Sequence, residues 1–175
     1  MKKRDDFKDL RVNTKVGDIN NLNISEISSH VIVQLNNLEH WMGEILAFYF
    51  KPQEREEFMD LLMHSSITPF GSKAKLLRSL AIIDNQDYSS LMQMANIRNG
   101  FAHSIYYEVN DEVDEKIYHS IKILNNKGSI EYKEIKEQLD LFMEKADYFL
   151  HWLPEICFKA RDSGNVSSIA RLKKE

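Results

Sequence analysis

Residues 23–50 read NISEISSHVIVQLNNLEHWMGEILAFYF, and this stretch decides the fold class. Ile27, Val31, Leu35, Leu38, Met42, Ile45 and Tyr49 recur at spacings of four and three, which on a helix of 3.6 residues per turn align as one apolar stripe. Ser25 is placed to cap the start, although Ser28 stands where a glutamate would complete a capping box. Lys51-Pro52 ends the helix, and Pro52 suits the first turn of a second helix over roughly 52–63 with Phe58, Leu61 and Leu62 on its buried face.

Working outward, residues 64–72 carry turn chemistry in Ser65-Ser66, Thr68-Pro69 and Phe70-Gly71-Ser72. Ser72 is then the expected cap of a short helix that buries Leu76, Leu77, Leu80 and Ala81. Asp84-Asn85 breaks it. Tyr88, Leu91, Met92, Ala95 and Arg98 set the face of a fourth helix running toward residue 103, so the third and fourth helices form a hairpin. Residues 104–116 read as an acidic connector. Ile121, Ile123, Ile130 and Tyr132 flank Asn125-Asn126-Lys127-Gly128, which suits one small β-hairpin near 117–132, and residues 115–124 fit a helix as well. Ile135, Leu139, Phe142, Ala146, Phe149, Leu153 and Ile156 or Cys157 keep the helical rhythm to the end, with a kink or break expected at Pro154.

The whole reads as an all-α bundle of four or five helices. Residues 1–22 form a polar arm, 23–161 one helical domain and 162–175 a polar tail. The composition agrees: 175 residues suit one core, and six glycines with three prolines are too few for a turn-rich β-sandwich. A net charge of −4 argues against a protein that coats nucleic acid or anionic membrane by bulk charge. The single cysteine, Cys157, excludes an internal disulfide framework and reads as an inert core residue. The first 22 residues lack the apolar core of a secretion signal, and no apolar run approaches a membrane span, so the expectation is a cytoplasmic protein with no membrane contact.

Chemistry is concentrated in Ile97-Arg98-Asn99-Gly100-Phe101-Ala102-His103. Arg98 falls in the stripe that otherwise faces the core, where a permanent charge is costly unless it meets a carboxylate, a cleft or an anion. Asn99 and His103 are four apart, on one helix face, where the amide can fix the imidazole tautomer. Arg98 and His103 are about 140° apart on a regular helix. They address one phosphate only if the helix ends or bends near Gly100. On local physics alone, the ordinary roles are the favoured ones: Arg98 paired with a carboxylate and His103 capping the helix near its negative dipole end. Lys73, Lys75 and Arg78 form a short basic cluster just upstream, and Tyr106 and Tyr107 follow the motif. The histidines show no metal-binding spacing; His40 and Glu44, four apart, suit a surface hydrogen bond.

The ordered set Phe70-Gly71-Ser72-Lys73-Ala74-Lys75-Leu76-Leu77, Leu80-Ala81-Ile82-Ile83-Asp84 and Ile97 to His103 resembles the HEPN superfamily, in particular its mannitol-operon-repressor-like branch. The resemblance covers roughly residues 25–104, and Ala81 stands where that branch has glycine. It implies a helical bundle and a metal-independent, cofactor-free endoribonuclease of the toxin, stress or phage-defence type. Such an enzyme works as a homodimer with its motifs near the interface. His103 would move the proton, Arg98 would hold the phosphate and Asn99 would orient the histidine; Lys73, Lys75, Arg78 and Tyr106 would bind RNA. Products would carry 2′,3′-cyclic phosphate and 5′-hydroxyl ends. The branch also implies an alternative, a non-catalytic transcriptional regulator acting through a cognate antitoxin or another protein.

Overall fold

The computed structural model describes residues 24–103, 120–124 and 128–163. The arm at 1–22, the connector at 104–116, Tyr106 and most of the tail at 162–175 lie outside them. The fold is an all-α bundle with one small hairpin. Helix α1 is Ile24–Phe50, a short α2 at Arg55–Glu57 runs into a π-helical turn at Phe58–Leu62, α3 is Phe70–Ser79 and α4 is Asn85–His103. Strands β1 (Ser120–Leu124) and β2 (Ile130–Glu134) pair antiparallel, and α5 (Ile135–Ser163) closes the bundle.

The α1 stripe is buried from Ile27 through Ile45. It touches α3, α4, α5 and the π turn, and so organises every other helix. Its last member, Tyr49, is exposed instead, because the helix runs out past the core. The helix is already formed at Ile24, one residue before the expected cap Ser25. Lys51 leaves it with φ 48°, a left-handed conformation that ends α1 ahead of Pro52. The α1 and α5 C-termini lie together, where Ala47 and Phe48 meet Ala160 and Arg161 across a cleft that Lys51 and Arg55 also line. Cations there answer two negative dipole ends at once.

The second helix departs from its expected form. It starts at Arg55, and Met63 N–H donates to the Phe58 carbonyl five residues back at 3.0 Å, so the turn is widened to π geometry. The wider turn rotates the register: Met63 is buried, whereas Leu61 and Leu62 are 57% and 51% exposed. Gly43 of α1 permits the approach, since a Cβ there would lie 3.2 Å from Met59 Cε and 3.6 Å from Met63 Cβ.

Helix α3 begins at Phe70 after Pro69, not at a Ser72 cap. Its buried face is Phe70, Lys73, Ala74 and Leu77. Ala81 is exposed and sits at φ 57°. There Ile82 N–H donates to the Leu77 carbonyl and Ala81 N–H to the Arg78 carbonyl, both at 2.9 Å. These are the two bonds of a Schellman C-cap, and they bury Ile82 with Leu77. Asp84 does more than interrupt: its carboxylate accepts from Asp87 N–H at 2.8 Å while the Asp87 carboxylate accepts from Asp84 N–H at 3.4 Å, a reciprocal cap for α4.

In the hairpin, Ile121 and Ile123 are buried and β1 packs on α4, whereas Ile130 and Tyr132 of β2 are exposed. Helix α5 buries Leu139, Phe142, Ala146, Phe149, Leu153, Ile156 and Cys157. It does not break at Pro154 but continues to Ser163. Burial of Ile156, Cys157 and Ala160 beyond the proline offsets a cost of about 3 kcal/mol for the lost bond and ring clash.

The Ala81 turn yields a test. A left-handed alanine costs about 1 kcal/mol that glycine avoids. Ala81→Gly therefore raises stability by up to about 1 kcal/mol, read as a higher urea midpoint at unchanged slope. A lower midpoint would mean that the backbone is not held left-handed there.

Candidate functional site

The site is built at the C-terminal end of α4, which the Schellman turn after α3 and the Asp84–Asp87 cap aim back along α1. Ser28 near the start of α1 reaches the Phe101 carbonyl at 3.5 Å, which sets the ends of the two helices side by side. Ile97, Gly100 and Phe101 are buried against this contact, Arg98 is half-buried and Asn99 is exposed.

Arg98 bears on the choice left by the sequence. No carboxylate pairs with it among the described residues, and its Nε is buried without a hydrogen-bond partner. A buried Nε–H with no partner among the described residues costs about 1–3 kcal/mol in lost hydration. The helix neither ends nor bends out of α geometry at Gly100; it is helical through His103. Arg98 and His103 are therefore five residues apart on one unbroken helix.

The basic cluster is dispersed. Lys73 is 3% exposed and its Nζ donates to Glu39 Oε1 of α1 at 2.8 Å, making a buried ion pair where a substrate-facing cation was expected. Its position opposite Lys75 on α3 follows from helix geometry. Lys75 is exposed, and the Arg78 guanidinium lies 4.1 Å over the Tyr88 ring, clamping α3 to α4. Of the expected phosphate-gripping residues, only Lys75 and Arg78 share an accessible side.

Two other groups matter. His30 on α1 has a buried Nε2 without a partner, and burial pushes its pKa below the ordinary 6.5. Cys157 is buried and free; burial, with Glu44 adding to it, pushes the thiol up to about 12. That thiol is no nucleophile at neutral pH. Glu44 pairs with Arg55, not with His40, whose ring meets the edge of Trp41 at 5.7 Å.

A groove of about 900 Å³ lies elsewhere, between α1 and residues 55–65. Sequence periodicity missed it because its floor, Met59 and Met63, depends on the π register. Among the described residues no helix is long and apolar enough to cross a membrane, and no three His, Cys, Asp or Glu side chains converge to hold a metal ion. No family model, curated protein or solved structure matches the chain.

Two outcomes follow. Lys73→Ala leaves the half-buried Glu39 carboxylate in the groove wall without its partner and destabilises by about 1–3 kcal/mol. Replacing both partners, Lys73→Met with Glu39→Leu, recovers most of that loss in denaturant unfolding. A single-variant loss below about 1 kcal/mol would show the pair to be solvated. For His30, the unfolded chain binds a proton at its ordinary pKa while the native site resists it. Its contribution to stability is therefore full above pH 6.5 and falls as pH drops through the lowered native value. Thermal melts should show this decline as pH falls below 6.5, and His30→Leu should flatten it.

Proposed function

We propose that this chain is a metal-independent endoribonuclease of the HEPN type, with Arg98, Asn99 and His103 as its catalytic set. The observation that carries the reading is Arg98: a core-facing guanidinium, buried at Nε, with no partner among the described residues. Such a group is poised for an anion that arrives from outside, and RNA phosphate fits it with a two-pronged donor.

RNA contains its own nucleophile, so the protein needs only proton transfer and stabilisation of charge at phosphorus. His103 takes the proton from the 2′-hydroxyl, and the freed oxygen attacks the adjacent phosphorus. The bond from phosphorus to the 5′-oxygen breaks, and that oxygen leaves with a proton from a second histidine. The products are a 2′,3′-cyclic phosphate and a 5′-hydroxyl. Arg98 holds the non-bridging oxygens as charge grows, and Asn99 orients His103. The 140° between Arg98 and His103 on one continuous helix, together with the need for two proton-transfer groups, requires a two-fold dimer that faces the motifs together. Lys75, Arg78 and Tyr106 remain candidates to hold flanking RNA; Lys73 is replaced in that role by its ion pair with Glu39.

A second reading, a non-catalytic regulator acting through protein contacts, is favoured by the groove, whose walls carry carboxylates where a nucleic-acid surface would carry cations. Purified dimeric protein with EDTA present decides between them. The ribonuclease reading expects cleavage of single-stranded or looped RNA to cyclic-phosphate ends. It expects His103→Ala and Arg98→Ala each to lower the rate by about 10²-fold or more, and Asn99→Ala to lower it less. A folded dimer that leaves a mixed cellular RNA pool intact would defeat it.

A further inference from the structure

We infer that the groove between α1 and the π turn, with the leucines beside it, is a docking site for a basic amphipathic helix of a partner protein. The inference stands apart from RNA cleavage and uses none of its residues.

The shape comes first. Gly43 lets the π turn close on α1, so that Met59 and Met63 floor a groove of about 900 Å³. Two turns of helix, about 10 Å across and 11 Å long, occupy about 850 Å³. Thioether side chains are flexible and polarisable, and a methionine floor adapts to whichever apolar side chains the helix inserts.

The apolar surface continues outside the groove. The Phe50 ring lies 6.1 Å from that of Phe58, and one turn on Leu61 and Leu62 project into solvent. Adjacent leucines that are both more than half exposed are unusual in a helix held against a core, and the π register is what presents them. The spacing of Phe58, Leu61 and Leu62 offers anchors to a facing helix at the usual three- and four-residue intervals.

Charge names the partner. The two cations lining the groove are engaged internally, Lys73 with Glu39 and Arg55 with Glu44. Glu54, Glu56, Glu57 and Asp60 are exposed and form no ion pair among the described residues. Of these, Glu56 and Asp60 line the groove beside Met59 and Met63, and no cation among the described residues pairs with them. A helix with leucine-like residues on one face and lysine or arginine on the flanks satisfies carboxylates and methionines at once.

The test uses a fluorescein-labelled 18-residue helical peptide of leucine and lysine, its scrambled isomer, and a leucine–glutamate counterpart, each titrated by anisotropy into the full chain. The expected result is saturable binding of the leucine–lysine helix alone, weakening as salt rises. Glu56→Lys with Asp60→Lys should weaken it about tenfold or more, and so should Leu61→Ser with Leu62→Ser. These positions are exposed, so all four substitutions leave the fold intact, as circular dichroism would verify. Equal binding of the scrambled peptide, or affinity unchanged in both variants, would overturn the proposal. So would a leucine variant that turns a dimer into a monomer while the wild type ignores the peptide, because the occupant would then be a second copy.

Discussion

Everything in this fold depends on burying one continuous stripe of α1. From Ile27 to Ile45 it is in contact with α3, α4, α5 and the π turn, so no other helix is placed independently of it. A fully buried aliphatic side chain contributes about 1.5–3 kcal/mol, and this stripe has six such positions in register. The consequence for function is positional. α4 must lie along α1 to bury Leu91, Met94, Ile97 and Phe101, and that demand places Arg98 at the edge of the same interface. The charge is a passenger of a packing solution, which is why its partnerless Nε is informative. Packing explains where the residue is, and among the described residues nothing pairs with its Nε.

The architecture was legible in the sequence where period alone decides the matter. The stripes of α1 and α5 are the ones periodicity marks, and the hairpin lies where Asn-Asn-Lys-Gly suggested, shifted to 120–134; on α4 the buried face is Leu91, Met94, Ala95, Ile97 and Phe101, so that Tyr88, Met92 and Arg98 of the expected face are only half-buried. Departures occur where backbone geometry overrides period. Leu61 and Leu62 read as a buried face on an α-helix, but one added residue in the turn sends them outward and Met63 inward. Ser72 has the chemistry of a cap, yet Pro69 ends the preceding loop and starts the helix earlier. Pro154 has the chemistry of a breaker, yet apolar burial on both sides carries α5 through it. Ala81 looks like a trivial replacement for glycine in one-letter code. In the fold it occupies a left-handed position, and the difference is a local cost that the Schellman bonds and Ile82 burial outweigh.

The candidate site was legible only in part, for a related reason. Arg98, Asn99 and His103 stand out by type and spacing, but whether a guanidinium is paired is a tertiary fact. Lys73 shows the opposite outcome at a position of similar appearance. Both are cations on core-facing helical stripes; one meets Glu39 across α1 and the other meets nothing among the described residues. No local rule separates them, because the deciding carboxylate is 34 residues away in sequence. The same pairing removes Lys73 from the basic cluster and leaves Lys75 and Arg78 as the accessible cations of α3.

That redistribution of charge separates two faces of the molecule. In the proposals above, the α4 end offers a guanidinium to an anion, whereas the groove on α1 offers carboxylates beside methionine to a cation. A surface of one sign focuses its own ligand and repels the other's, so the groove would not hold RNA and the Arg98 site would not hold a basic helix. Their separation allows a partner to occupy one without obstructing the other directly. Two elements join them: α1 lines the groove at Glu39 and Gly43 and meets the end of α4 at Ser28, and α3 lines it at Lys73 and packs on α4. A helix pressed into the groove acts on Glu39, hence on Lys73 and α3, and α3 sets α4 through the Ala81 turn and the Arg78–Tyr88 contact. The route is made of packed and bonded groups from end to end. For it to carry a signal, the Glu39–Lys73 pair must have two arrangements of comparable energy, since a ligand shifts only an equilibrium that already exists.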